Sequence, residues 1–186
     1  NKFNNNDIID KEGRNKGLQK NVMLIAHNAR YDFTFILNYL YSLSPVLKGN
    51  RLMGGSARIY TGRKFKDEKG DEINGFVNIK FQDSCNLIST KLRNFKNMFK
   101  LEMKKEILPY DMYDEDNIEK RFIDMEICSE YLKPDEYIEY YQNAKEWNCI
   151  NGGKIDIIKY SEKYCEMDCR VLKEGYNTFR EWIKEI

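Results

Sequence analysis

Apolar positions along the chain follow two periods, and the change from one to the other marks out the elements. "NVMLIAHN" is a short apolar run that predicts a buried strand at about residues 22–27. In "YDFTFILNYLYSL" the residues Phe33, Ile36, Leu37 and Leu40 fall at helical spacing, so a helix is expected there, ended by Ser44 and Pro45. "RLMGGSARIYTGRKF" and "INGFVNIKFQDS" read as two strands of a long hairpin around the charged, Gly-containing "KDEKGDE". The second strand alternates Val77, Ile79 and Phe81 against Phe76, Asn78 and Lys80, as a strand with one buried face does.

"LRNFKNMFKL" is amphipathic, with Leu92, Phe95 and Phe99 on one side. An acidic stretch, "LPYDMYDEDNIEKRF", reads as irregular, and Pro134 suits the first turn of a helix through "PDEYIEYYQNAKEW". Residues 155–183 predict a long helix, because Ile157, Tyr160, Tyr164, Met167, Val171 and Leu172 recur at threes and fours. Residues 1–20 are polar and rich in Asn, Lys and Gly, and read as a leader or loop. The expected architecture is one mixed α/β domain over residues 21–186, with a parallel strand pair, a hairpin and flanking helices.

Charge adds little to this picture. The net charge of +1 gives no global basic field, so any binding of nucleic acid must come from a local site. Five cysteines without a CxxC pair, beside the one histidine His27, argue against zinc-finger sites and suit free thiols in a reducing, intracellular compartment. No apolar run approaches the roughly 18 residues of a membrane span.

Carboxylates carry the candidate chemistry. Thirteen tyrosines and as many aspartates make about one Tyr-x-x-x-Asp expected by chance, and there are three: Tyr110 with Asp114, Tyr131 with Asp135, and Tyr164 with Asp168. Only the last pair is expected in the middle of a helix, where one turn of separation puts a phenol and a carboxylate on the same face. Such a carboxylate costs free energy unless it is paired or binds metal. A Tyr and an Asp at the edge of the buried stripe is the plainer account. Asp32 follows a predicted strand, where α/β folds expose site residues, and it equally suits the first turn of a helix, where the macrodipole favours an acid.

Together these segments resemble the 3′–5′ exonuclease domain of protein-primed family B DNA polymerases, over about residues 22–183. "HNARYDFTFIL" resembles the family's second exonuclease motif, with Asn28, Tyr31 and Asp32 in place, and "YCEMDCRVLKEGYNTFREW" resembles the third, with Tyr164 and Asp168. Between them, "IKFQDSCNLI" and "LRNFKNMFKL" are similar to the strand and helix that come next in the family. "KKEILPY" is similar to its lysine segment, with Lys105 on the lysine, although either Lys104 or Lys105 could point inward. Glu106 stands where a Gly is expected, Leu108 where a Phe is, and Lys91, before Leu92, where the family has Ser or Thr.

The resemblance implies an RNase H-like (DEDDy exonuclease) fold, and Mg²⁺ or Mn²⁺ held by Asp32 and Asp168 in a two-metal phosphodiester hydrolysis. It implies Tyr164 to orient water and Lys105 to support the phosphate as further catalytic groups. His27, Asn28, Tyr31 and Leu92 would contact a single-stranded DNA 3′ end, and a terminal priming protein would be a partner of the full-length polymerase. The family's first motif, Asp-x-Glu, is matched only by Asp10 and Glu12, and Asp10 lies just eighteen positions (28 minus 10) before Asn28. That gap is too short for the elements that normally intervene, and no palm signature follows. The expectation is therefore a fragment with a weakened metal site and little activity, lacking its first strand or strands. A non-catalytic single-stranded DNA-binding module and a structural remnant are the alternatives.

Overall fold

A computed structural model describes residues 21–29, 32–49, 51–66 and 69–185. The leader, with Asp10 and Glu12, and Tyr31 lie outside the described residues. The chain divides into two compact units, Asn1–Ser89 and Thr90–Ile186. Mixed α/β character holds, with one sheet in each unit.

The first unit is built on a four-stranded sheet in the order β1-β4-β3-β2. β1 (Asn21–Ala26) runs parallel to β4 (Glu72–Asp83), and β3 (Arg51–Lys66) forms the expected antiparallel hairpin with β4. The alternation along β4 is realised: Ile79 and Phe81 are buried and Lys80 is exposed. Against them pack Ala29, Ala57 and Phe33, the last from helix α1 (Asp32–Ile36). Phe33 and Phe81 meet with ring centroids 4.8 Å apart.

The helix predicted up to Ser44 and Pro45 ends earlier. A single 3₁₀ turn, Leu37–Tyr39, follows α1, and Tyr41–Lys48 is strand β2, antiparallel to β3. The helical spacing stops mattering there because β2 has no buried face: all eight of its residues are exposed. Pro45 is tolerated because β2 is the outer strand, where a missing ladder donor costs little. Gly55, opposite Pro45, allows this close pairing, since a Cβ there would lie 2.6 Å from the Ser44 carbonyl oxygen.

In the second unit, a 3₁₀ turn (Leu92–Asn94) leads into α2 (Phe95–Phe99), whose Phe95 and Phe99 are buried as the amphipathic pattern required. The stretch expected to be irregular is more ordered than that. A 3₁₀ turn at Tyr110–Met112 precedes α3 (Glu115–Lys120), and Asp114 caps α3 by accepting from the Asn117 N–H at 2.8 Å. A small antiparallel sheet follows, in the order β5-β7-β6 (Phe122–Asp124, Lys154–Asp156, Ile150–Asn151). Its tight β6–β7 turn uses Gly152 and Gly153 at φ +58° and +79°, the left-handed values that a two-residue hairpin loop needs.

Between these strands run α4 (Met125–Cys128) and α5 (Pro134–Glu146). The long helix α6 (Ile157–Lys184) starts on Asp156, which accepts from the Lys159 N–H at 3.0 Å and pairs with the Arg121 guanidinium at 2.7 Å. Its face bearing Ile157, Tyr160 and Tyr164 closes a core with Met112, Ile123, Met125, Tyr140 and Ile155. Gly175, further along α6, lets the ring of Phe95 lie directly on the helix backbone, in space a Cβ would fill.

Candidate functional site

In the first unit the chain leaves β1 at Ala26 and turns through His27 and Asn28 into α1. Asn28 sits in the left-handed region at φ +62°, which Asn tolerates better than most residues. Its side chain is exposed, and so is that of Asp32, the first residue of α1. The helix is anchored at its start by the Phe33 N–H, which donates to the Ala29 carbonyl at 3.0 Å.

The half-buried ring of His27 is held from two sides. The Ser84 hydroxyl donates to the Ala26 carbonyl at 2.8 Å, so the bond of 2.9 Å between His27 Nδ1 and Ser84 Oγ is one that Nδ1–H donates. Nε2 lies 3.4 Å from Cys85 Sγ. Beneath the turn, the carboxylate of Asp83 is buried and accepts the main-chain N–H groups of Asn28 and Ala29. Asp83 was not singled out in the sequence, because "QDSCNL" looks like the end of a strand and carries no spacing that marks an acid as functional.

The second unit brings four predicted and unpredicted groups together. Tyr164 and Asp168 lie one turn apart on α6, on the face that carries Tyr160, Val171 and Gly175 into the interior. Lys105 Nζ stands 2.5 Å from Asp168 Oδ2, donates to the Tyr164 hydroxyl, and lies 4.6 Å from the centre of the Tyr164 ring. Lys104 points elsewhere, pairing with Glu139 at 2.7 Å. The inward lysine is therefore Lys105.

Residues on both sides of Lys105 explain why it faces Asp168. Tyr160 donates from its hydroxyl to the Ile107 carbonyl at 2.9 Å, and Asn143 of α5 donates to Glu106 at 2.8 Å. Glu106, the departure from the expected Gly, thus ties the segment to α5. Burial raises its carboxyl above the ordinary range, while the Asn143 bond pulls the other way.

A further group was missed. Tyr110, mostly exposed, brings its hydroxyl within 2.8 Å of that of Tyr164, the two rings meeting edge to face at 6.4 Å. Its sequence signal was present as the last residue of "KKEILPY", but Tyr110 was weighed only as a partner of Asp114. Burial above all, then the Tyr110 hydroxyl and the Asp168 charge, push the Tyr164 phenol well above its ordinary range, so it stays protonated at neutral pH.

Asp168 bears on whether a cation fits. Its Oδ2 is paired, but its Oδ1 is buried with no hydrogen-bond partner among the described residues. An anionic oxygen in that position has the chemistry of a ligand for a hard divalent cation, which takes oxygen donors. Among the described residues no three His, Cys, Asp or Glu side chains gather into a metal-holding group. Asp168 thus fits as one ligand of a site whose other donors these residues do not bring together.

Leu92, the last of the predicted contact residues, is half-buried at the first position of its 3₁₀ turn, and Lys91 before it makes no side-chain cap. No helix among the described residues is long and apolar enough to cross a membrane.

A family profile described as DNA polymerase type B, organellar and viral, matches residues 15–186. No curated protein and no solved structure matches the chain.

Proposed function

The chain belongs to the organellar and viral type B DNA polymerases, and on that premise we propose that residues 21–186 are the 3′–5′ exonuclease portion of such a polymerase, with an RNase H-like fold. The observation that carries this reading is the group formed by Lys105 with two side chains of α6: a lysine, the protonated phenol of Tyr164 and the Asp168 carboxylate, within hydrogen-bond reach of one another. The substrate is the 3′ end of single-stranded DNA.

In this reading Asp168 would be a ligand of Mg²⁺ or Mn²⁺, and the resemblance gives Asp32 the same role. The chemistry a bound divalent ion supplies is activation of water and neutralisation of charge on the scissile phosphate. Tyr164 accepts a hydrogen bond from Lys105, which leaves its own O–H to orient a water or phosphate oxygen. Because the phenol is held protonated, it positions and donates, and does not act as a base. Lys105 supplies a compact cation beside the phosphate and, before substrate arrives, offsets the Asp168 charge. Asn28, His27, Tyr31 and Leu92 contact the displaced strand, where each base stacked on an aromatic ring contributes about 1–3 kcal/mol.

The test is incubation of the chain with a 5′-labelled single-stranded oligonucleotide and Mg²⁺ or Mn²⁺, beside Asp168→Ala. At most a weak ladder shortening from the 3′ end is expected, in keeping with the little activity anticipated for this chain, and any such ladder should be lost in the variant, since a metal ligand supports several kcal/mol of transition-state stabilisation. A ladder that survives in Asp168→Ala overturns the assignment. A second reading, single-stranded DNA binding without hydrolysis, is favoured by one observation: Lys105 already neutralises Asp168. Affinity for the oligonucleotide that survives EDTA, with no ladder, would establish it.

A further inference from the structure

At the carboxyl end of the parallel β1–β4 pair, Ala26 and Asp83 are register partners. Asp83 is only 4 % exposed, and its carboxylate accepts three main-chain N–H groups. Those of Asn28 and Cys85 each lie 2.9 Å from Oδ1, and that of Ala29 lies 3.3 Å from Oδ2. A buried carboxylate is costly unless its oxygens are satisfied, and here the satisfying donors belong to the turn that displays the candidate DNA contacts.

Two of these N–H groups come from a backbone that needs holding. Asn28 is at φ +62°, a conformation that costs a non-glycine residue about 1 kcal/mol or more and persists only where the surroundings fix it. The residue after Asp83 reaches the same turn: Ser84 donates to the Ala26 carbonyl and accepts from His27. Cys85, whose N–H is the third donor, carries the sulfur that faces His27 Nε2. The start of the "DSC" segment therefore sets both the Asn28 backbone and the His27 ring. Among the described residues the hydrogen bonds of the Asp83 carboxylate are all to main-chain N–H groups.

We infer that Asp83 is the positioning residue of the strand-end contact: its carboxylate fixes the left-handed Asn28 turn and so aims the Asn28 side chain at the single-stranded 3′ end. This rests on the single-strand reading proposed above. Asp83 acts through Asn28, which makes its role separable from a general contribution to folding.

The experiment uses the full chain, with two readouts. Amide hydrogen exchange, followed by NMR, should show Asn28 and Ala29 protected in the unaltered protein, and Asp83→Asn should speed exchange at both by about tenfold or more, the loss of charge-assisted bonds. Free exchange at both amides in the unaltered protein overturns the inference even if the variant fails to fold. The second readout is anisotropy of a 5′-fluorescein oligothymidylate with a free 3′ end, at fixed salt, for Asp83→Asn, Asn28→Ala and the double variant.

Asp83→Asn should weaken binding by about tenfold, although removing a negative charge by itself favours DNA. The double variant should bind no more weakly than Asn28→Ala alone, because both act through one side chain. Losses that multiply overturn the positioning role, and so does unchanged affinity in Asp83→Asn where Asn28→Ala weakens it. If Asn28→Ala leaves the affinity untouched, the single-strand reading falls and takes this inference with it.

Discussion

Asp32 opens a five-residue helix in the first unit, whereas Asp168 lies deep inside a 28-residue helix in the second. Asn28 is exposed and left-handed, and its N–H and that of the buried Ala29 are held by the carboxylate of Asp83. Tyr164 and Asp168 are secured by a helix whose inner face is packed along much of its length. A nearby exposed turn can yield to a single substitution, while a side-chain pair in a packed helix moves only if the helix does. Of the residues with proposed roles, His27 and Asn28 sit at the turn after β1, with Asp32 opening α1, whereas Tyr164 and Asp168 sit on the packed helix.

The comparison breaks most readily at the start of α6. Asp156 caps the helix and holds Arg121, and its hydrogen bonds from Arg121, more than any other influence, keep its carboxyl below the ordinary aspartate range. A carboxyl lowered on folding contributes stability above its unfolded value and loses it as pH falls through the folded one. Asp156→Ala should therefore cost about 1–2 kcal/mol from the lost cap at neutral pH. The difference from the unaltered protein should begin to shrink as pH falls below the ordinary aspartate value of about 4 and go on shrinking as the folded carboxylate, held lower, protonates. Thermal melts between pH 7 and 3 check this, and a penalty that stays constant as the acid titrates would mean the helix start is held by something else.

Tyr140 sharpens the comparison in the opposite direction. Its ring is wholly buried against Tyr160, with centroids 4.4 Å apart, but its hydroxyl has no hydrogen-bond partner among the described residues. An unsatisfied buried hydroxyl costs about 1–3 kcal/mol, so Tyr140→Phe should be neutral or stabilising, by up to about 1 kcal/mol after repacking. Denaturant melts measure it. A clear loss of stability would show that the hydroxyl is satisfied, for instance by a buried water, and that the core behind Tyr164 is wetter than its packing implies.

What the sequence made legible follows the same division. Strand β4 and helix α6 announce themselves, because each buries one face over many residues and so keeps a period. Strand β2 buries nothing, and its Leu and Tyr spacing happened to continue that of α1. The Gly152–Gly153 turn was written in the sequence, but its strands of two and three residues are too short to show alternation. Tyr164 and Asp168 were legible as a pair on a helix, whereas the choice between Lys104 and Lys105 was not. Those lysines lie in an irregular segment without a period, and tertiary contacts from Tyr160 and Asn143 decide which one faces in. Asp83 was illegible for a related reason, since its role depends on main-chain groups fifty-four and fifty-five positions away.

Tyr110 offers the smallest effect and the finest test. Its hydroxyl reaches Tyr164, but at 65 % exposure water competes for that bond, so Tyr110→Phe should change stability by no more than about 0.5 kcal/mol. The phenol of Tyr164 would keep its bond from Lys105 and lose the partner that fixes its rotation. If the O–H of Tyr164 is the group that orients water, hydrolysis should slow by about threefold to tenfold, the worth of roughly one net hydrogen bond, while oligonucleotide affinity changes far less. Single-turnover cleavage separates the two effects, since it reads the chemical step apart from binding. An equal loss in affinity and rate would place Tyr110 on the DNA itself, and no loss in either would leave Lys105 alone to hold the Tyr164 hydroxyl in place.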